Sequence, residues 1–545
     1  MSFGLLGIGT SGLGTAQRAL DTTGHNIVNV NTEGYSRQRV DQATRNPLHS
    51  PVGYLGQGVN VSAIRRLYDD FVQTQLRTTT TTSEYYSTQY DFTRRIDNLL
   101  ADASAGLAPG LQKFFSAFQE LANDPTSTAQ RTVVLAESES LVDRFHFLDQ
   151  RLKDQQTIVN GQIQTAVDEI NGIAQSIAHL NQQIIGAQSR GMPPNDLLDK
   201  REQLLLDLSR FVDVNTVQEA NGGLNVFIGS GQALVMGHQP NALQAQSPGA
   251  GLQLEIGFKS SGDISRMISG NGHLGGLLGA RSTLEQTQNE LGKVAVSIAL
   301  AFNNQHRAGM DLDGKAGEDL FRVPIPAVIP SRPDSALPEV SFDPEGLSSL
   351  KATDYRLSYD GDTWTLRTHP QGTEVKLPSE DADGNILVNG LIIKLPADAQ
   401  AGDRFMLQPT RDAARDIQFL VDDPNALAAA DAAAQTNAIG DNRNALAMAG
   451  IQGARILDNG MTDIEGAYNS LIAGIGTQTR KLEVASEAQQ RLLADAKNHR
   501  ESISGVNLDE EAANLIRYQQ AYQASAQVIA ASNALFDTLI GIVRR

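Results

Sequence analysis

LDEEAANLIRYQQAYQASAQVIAASNALFDTLIGIV, residues 508–543, carries Leu508, Leu515, Tyr522, Ile529, Phe536 and Val543 at a constant interval of seven, with Ala512, Ala526 and Ile540 flanking that stripe. A seven-residue apolar repeat stays on one side of a helix and asks for a partner helix along it. The other end of the chain has the same period: Leu6, Leu13, Leu20 and Ile27 recur every seven residues, with Gly9, Ala16 and Thr23 three places after the first three. Two matched stripes at the two ends predict that the termini meet in one helical unit. The middle of the chain is then an excursion from it.

The excursion leaves through HNIVNVNTEGYSRQ (25–38), which sets Asn26, Asn29, Asn31, Gly34 and Tyr35 directly after the N-terminal stripe. Asparagine and glycine tolerate left-handed backbone, and asparagine side chains bond nearby main-chain groups, so this cluster should end the helix and fix the direction of exit. SPVGYLGQGVNVSAIRR (50–66) reads as a hairpin or loop, and helical patterning starts near Tyr68. The clearest stripe is Ile163, Val167, Ile170, Ala174, Ile177, Asn181 and Ile184, with four-three spacing. Two prolines in MPPN (192–195) end it, and Asn195 reads as the cap of the next helix.

From 212 to 268 glycine rises, and LNVFIG and LQLEIGF suggest strands; helix returns at 272–308. Between 321 and 410, Pro, Gly and Asp punctuate short alternating runs, which predicts an antiparallel β unit. A last helical region, 411–504, is expected to include the alanine-rich NALAAADAAAQTNA. The fold class is thus mainly α with inserted β. A terminal coiled-coil unit (1–62 with 505–545) carries a long helical bundle (63–320 with 411–504, including the β-rich 212–268), which carries the β insertion (321–410).

Composition narrows the function. With 545 residues the chain has room for three or four units, and a net charge of −18 opposes binding to nucleic acid. It has no cysteine, which removes disulfides, thiolate metal sites and thiol catalysis. The first Lys or Arg is Arg18, so a cleaved secretory signal is not expected. The longest unbroken apolar run, VAVSIALAF (294–302), is well short of the ~20 residues of a membrane span, and no membrane insertion is expected.

Motifs for chemistry fall away one by one. GIGTSG (7–12) has the spelling of a dinucleotide loop, but only six residues precede it, too few for the buried strand such a loop follows; its glycines suit close helix packing. MDLDGKAGEDLF (310–321) and SEDADGN (379–385) resemble calcium loops but lack the acidic twelfth ligand, so both read as Asp-Gly turns. The nine histidines show no paired-ligand spacing, and Trp364, the single tryptophan, reads as a core residue in mid-strand. No catalytic residue, cofactor or metal ligand is expected.

The ends carry a resemblance. SGLGTAQRALDTTGHNIVNVNTEGYSRQ and NLDEEAANLIRYQQAYQASAQVI resemble the paired terminal signatures of bacterial flagellar axial proteins, the rod, hook and hook-associated family. The end signatures are shared by hook and distal rod subunits, which remain the alternative; inside, LANDPTSTAQRTVVLAESESLVDRF (121–145), NDLLDKREQLLLDLSRFVDV (195–214) and AGMDLDGKAGEDLF (308–321) resemble the hook-associated protein 1 branch, which joins hook to filament. The resemblance implies a tubular homo-oligomer, with hook protein on one side and hook-associated protein 3 on the other. It implies export in an unfolded state by the flagellar type III apparatus, and a cytoplasmic chaperone holding the C-terminal segment at Leu515, Tyr522, Ile529 and Phe536. On this reading the two apolar stripes and the corner residues 26–35 are packing positions, and both termini fold on assembly.

Overall fold

The structure is a computed structural model that describes residues 2–50, 53–102, 104, 106–191, 193–247, 254–259, 262–268, 270–433 and 440–543. Helix α1 (Ser2–Val28) is followed by β1 (Gln38–Thr44), β2 (Leu48–Ser50), β3 (Gly53–Leu55) and β4 (Val59–Arg66). β1 and β4 form an antiparallel ribbon, and β2 and β3 form a small hairpin at its tip. The helical body begins with α2 (Asp70–Leu100), α3 (Leu107–Asn123), α4 (Thr128–Gln188) and α5 (Asn195–Phe211). At about 1.5 Å per residue the 61-residue α4 is roughly 90 Å long.

The α4 stripe expected from the spacing is buried along its length, from Ile163 to Ile184. Its one polar member, Asn181, donates to the carbonyls of Leu224 (2.8 Å) and Gly237 (2.6 Å) and accepts from buried Arg201 of α5 at 2.9 Å. These bonds tie α4 to α5 and to an antiparallel sheet of β5 (Val214–Gln218), β6 (Leu224–Ile228), β7 (Gln232–Met236) and β8 (Gln239–Pro240). β9 (Leu243–Gln246) pairs with β10 (Glu255–Phe258); the start of LQLEIGF, residues 252–253, lies outside the described residues.

After α6 (Ser265–Ile268), the largely buried α7 (Gly272–Arg307) runs through the middle of the body. Its Phe302 meets Phe114 of α3 at 4.8 Å between ring centroids, in an aromatic cluster with Phe115, Phe118 and Phe321. Such edge-to-face contacts add about 0.5–1.5 kcal/mol each beyond their burial.

The β insertion is entered through β11 (Gly309–Met310) and β12 (Phe321–Arg322). It comprises β13 (Ala327–Pro330), β14 (Glu339–Phe342), β15 (Asp354–Tyr359), β16 (Trp364–His369), β17 (Glu374–Val375), β18 (Asn385–Val388), β19 (Leu391–Lys394) and β20 (Arg404–Gln408). One sheet runs β13-β20-β15-β16-β17 and a second β14-β19-β18, all antiparallel. The chain returns through α8 (Ala413–Asp416), β21 (Gln418–Phe419) and β22 (Ala430–Asp431), pairing β12 with β21 and β11 with β22. Entry and exit strands therefore lie side by side. Buried Arg411 pairs with buried Asp354 of β15 and with Glu285 of α7 (3.4 Å), fastening insertion to body.

Three local expectations are corrected here. The alanine-rich stretch is not a helix: it begins in a 3-10 turn at Pro424–Ala426 and passes through β22, with residues 434–438 outside the described residues. Tertiary bonds override propensity, because buried Arg131 donates to the carbonyls of Pro424 and Leu427, and His306 accepts from the amide of Ala428. Asn195 does not cap α5. The cap position is Pro194, and the Asn195 side chain reaches Gln38 Oε1 and the Ile64 carbonyl. Trp364 opens β16 rather than sitting in its middle; it is half-buried and stacked on Tyr359.

The two Asp-Gly stretches share one turn: Asp311 accepts from the amides of Asp313 and Lys315, and Asp381 from those of Asp383 and Asn385, with Gly314 and Gly384 at positive φ. The chain continues in α9 (Arg443–Gly450), α10 (Ile464–Ser504), which packs along α2, and α11 (Leu508–Val543).

Candidate functional site

The ends do meet, as one antiparallel pair of α1 and α11. GIGTSG lies inside α1. A Cβ on Gly9 would stand 2.7 Å from Ile529 Cγ1, and one on Gly12 would stand 2.8 Å from Ser525 Oγ, so the missing side chains are what bring the helices together. The mating line differs from the expected one. Gly9, Ala16, Ala19, Thr23 and Asn26 of α1 are buried, as are Glu511 and Ser532 of α11. Leu6, Leu13, Leu20 and Ile27 flank that line half-buried.

On α11 the large apolar residues turn outward. Leu508, Leu515, Tyr522 and Phe536 are exposed, with Ile516, Val528, Leu535, Leu539 and Ile540 beside them, while Ile529 is half-buried against Gly9. Val543 ends the helix, and its side chain lies outside the described residues. The intrachain seam is thus made of small and polar residues, and the apolar face it leaves is large; contiguous exposed patches of that kind mark contact surfaces. By composition, one 18-residue window within Ile464–Ile542 reaches the apolarity of a membrane-crossing helix.

Where the pair joins the body, the corner residues form one bonded cluster. Asn26 is 1% exposed and uses all its capacity: it donates to the Gln38 carbonyl (2.9 Å) and Glu511 Oε2 (3.2 Å), and accepts from the Gln38 amide (2.9 Å) and the Tyr35 hydroxyl (2.7 Å). Asn29 donates to the His25 carbonyl (2.9 Å) and accepts from Thr32, closing the turn, and Asn31 is exposed at its apex. Gly34 has φ +80° and lies against the Gln203 side chain, so the backbone favours glycine there.

Tyr35 also packs edge-on against His25, and burial, with Asp196, Asp199 and Glu511 nearby, pushes its phenol well above the usual tyrosine range. It therefore stays a hydrogen-bond donor. Arg37 donates to Glu511 Oε1 (2.7 Å) and Glu510 Oε2 (2.6 Å), and its amide donates to the Ser504 carbonyl (2.9 Å). Burial pulls its guanidinium down, but the two carboxylates hold it above its ordinary range. The body closes the cluster: Asp199 accepts from the Ser36 amide (3.0 Å) and from Arg66 (3.0 Å), Gln38 donates to Asp196 (2.8 Å), and Arg500 donates to the Tyr35 carbonyl (3.1 Å).

Sequence reasoning found Asn26, Asn29, Asn31, Gly34 and Tyr35 but missed Arg37, Asp199, Arg500 and Glu511. The usable signal was charge. Three acids in the first turn of α11 follow Asn507, whose side chain accepts from the amides of Asp509 and Glu510, and the half-buried Arg37 is the cation that two of them, Glu510 and Glu511, pair with. The NDLLDKRE stretch divides its work: Asp199 holds the corner, Arg201 holds α4, and Glu202 pairs with Arg77 of α2 at 3.0 Å. Among the described residues no cluster of His, Asp or Glu could hold a metal ion. The ionised side chains of the cluster face partners that bond the terminal pair to the body.

Residues 93–321 match the family model described as the helical domain of flagellar hook-associated protein FlgK, and residues 342–409 match a D2-like domain of flagellar hook-associated protein 1. Residues 6–35 match the flagella basal body rod protein model, and residues 498–542 the C-terminal model of flagellar basal body rod proteins. The flagellar hook-associated protein 1 of Escherichia coli strain K12 is 36% identical over 540 residues, covering 98% of each chain. That of Salmonella typhimurium is 37% identical over 549 residues, again covering 98% of each. The solved flagellar hook junction protein FlgK of Burkholderia pseudomallei has the same fold, with a TM-score of 0.72 at 24% identity, covering 79% of this chain and 100% of that one.

Proposed function

We infer the function from one premise: this chain belongs to the flagellar hook-associated protein 1 family, with which it aligns over 98% of its length. It is a structural component of the bacterial flagellum. We propose that copies of it assemble as a short tubular segment between hook and filament, adapting a flexible hook to a stiffer filament. The observation that carries this reading is the outward apolar face of α11, which runs from Leu508 to Ile542 while the intrachain seam is small and polar. A helix that spends its small residues on its own partner and its large ones on the outside is built to be covered by other copies.

The rest of the reading follows from that surface. The neighbours are hook protein on one side and hook-associated protein 3 on the other, each supplying helices of like pattern. Little apolar area is buried within the terminal pair, too little to offset the conformational entropy of ordering both helices, so both termini fold on assembly. Unfolded termini suit passage through the type III export channel, and an amphipathic α11 suits a cytoplasmic chaperone that holds Leu515, Tyr522, Ile529 and Phe536.

Leu535→Asp with Leu539→Asp tests the reading, because both residues are about half exposed in the single chain and neither contributes to its buried core. The expected result is intact hooks without filaments and flagellin shed into the medium. Normal filaments in the variant would overturn it.

A further inference from the structure

Where the β insertion rests on the body there is a cleft of about 430 Å³, within the roughly 300–1,000 Å³ of small-ligand sites. Leu254, Leu278 and Pro370 give it apolar walls. Its charged groups divide by element. β15 and β16 of the insertion bring Arg356 and His369, the segment from β10 to the approach to α6 brings Glu255 and Asp263, and α7 supplies buried Arg281 and Glu285. Arg266 of α6 donates to the Pro370 carbonyl at 2.6 Å, joining body to insertion at the cleft. Most of these charges are used within the chain: Glu285 faces Arg281 at 3.9 Å and Arg411 at 3.4 Å, Arg281 donates to the Leu254 carbonyl at 2.7 Å, and Asp263 accepts from the amide and hydroxyl of Ser265.

Arg356 is the exception. The residue directly opposite it in the sheet is Arg367, a like charge that disfavours the pairing and that itself pairs with Glu374 at 3.0 Å. Arg356 has no hydrogen bond or ion pair among the described residues. The cleft also has two regions of opposite potential. Burial and four arginines, Arg356, Arg411, Arg266 and Arg281, hold the His369 imidazole down at about 4, whereas burial and the neighbouring Asp263 push the Glu255 carboxyl up. An anion would satisfy the first region and be repelled by the second, and a cation the reverse. We propose that this cleft binds a small zwitterion of the amino-acid class, its carboxylate taken by Arg356, its ammonium by Glu255 and Asp263, and a short aliphatic side chain by Leu254, Leu278 and Pro370. The site lies within one chain and does not depend on how copies assemble.

The test titrates the purified full-length protein by calorimetry with L-leucine, with isocaproate, which is leucine without its amino group, and with isoamylamine, which is leucine without its carboxylate. Saturable binding of leucine is expected, with each of the other two at least about tenfold weaker. Arg356→Gln should weaken leucine by a similar factor, and its side chain is exposed and unpartnered, so the fold is undisturbed. Arg367→Gln, one strand away on the same sheet face, should leave leucine binding unchanged. No saturable binding of leucine, isocaproate or isoamylamine binding as tightly as leucine, or equal losses in the two arginine variants would each overturn the proposal.

Discussion

Adding one methyl group at Gly9 should have the opposite effect to adding it five residues later. In the α1–α11 pair a Cβ on Gly9 would lie 2.7 Å from Ile529 Cγ1, 3.3 Å from its main-chain nitrogen and 3.4 Å from Val528 Cγ1, whereas Gly14 has nothing within 4 Å. Carbon atoms rest about 3.5–4.0 Å apart, so Gly9→Ala requires α11 to retreat by about 1 Å or Ile529 to leave its rotamer. A β-branched side chain in a helix has little rotamer freedom to give. Such overpacking costs about 1–3 kcal/mol, while replacing glycine by alanine in a helix interior contributes about 1 kcal/mol at either site.

The propensity gain is common to both variants and cancels between them. Gly14→Ala should therefore hold the pair more firmly than Gly9→Ala by about 1–3 kcal/mol, a factor of about 5 to 150 in the opening equilibrium. Amide hydrogen exchange across residues 518–532 in isolated flagella reads that equilibrium. Faster exchange in Gly9→Ala than in Gly14→Ala is expected; equal rates, or slower exchange in Gly9→Ala, would refute the close-packed seam.

Three further outcomes follow. Asn181→Leu, which would make the α4 stripe uniformly apolar, should destabilise the body by about 3 kcal/mol, since it removes the donor to two carbonyls and takes one of two acceptors from buried Arg201, which keeps the Gly222 carbonyl; a urea midpoint equal to or above that of the parent would refute this. Asp149 is pushed up to about 6, chiefly by burial. Its contribution to stability is then fully present below about pH 4 and lost as pH rises through about 6, so Asp149→Asn should gain on the parent by up to about 3 kcal/mol between pH 4 and 7 in urea unfolding. Asn26→Ala removes four hydrogen bonds at the corner and should loosen it by about 2–4 kcal/mol, read as lost exchange protection of the Gln38 amide in assembled flagella.

What could be read from the sequence was what depends on local spacing. The α4 stripe from Ile163 to Ile184 is buried, and the meeting of the two ends was visible in their common period. The face on which they meet was visible only in part: Gly9, Ala16 and Thr23 share the N-terminal period and the glycines read as close packers, but on α11 counting large apolar residues picks out Leu508, Leu515 and Tyr522, which point outward, over Ser525, which mates with Gly12. Small residues carry little periodic signal, yet they let backbones approach. The corner asparagines were legible as turn formers, but Glu511 lies 485 residues from Asn26 in the chain, and no local pattern links them. The alanine-rich return at 425–433 reads as helix by propensity and is held extended by Arg131 and His306, contacts that exist only after folding.

The claim on which the account turns is that the two ends of one chain pair antiparallel and leave their apolar face to neighbouring copies. A Cβ on Gly12 would stand 3.6 Å from the Cβ of Ser525, within the 3.5–4.5 Å span of a disulfide. Gly12→Cys with Ser525→Cys therefore places the only two thiols of this cysteine-free chain in bonding position. Non-reducing electrophoresis of isolated, oxidised flagella should show a band at monomer size whose mobility changes on reduction, from a bond closed within each chain. Free thiols, or a ladder of chains joined to one another, would contradict the pairing.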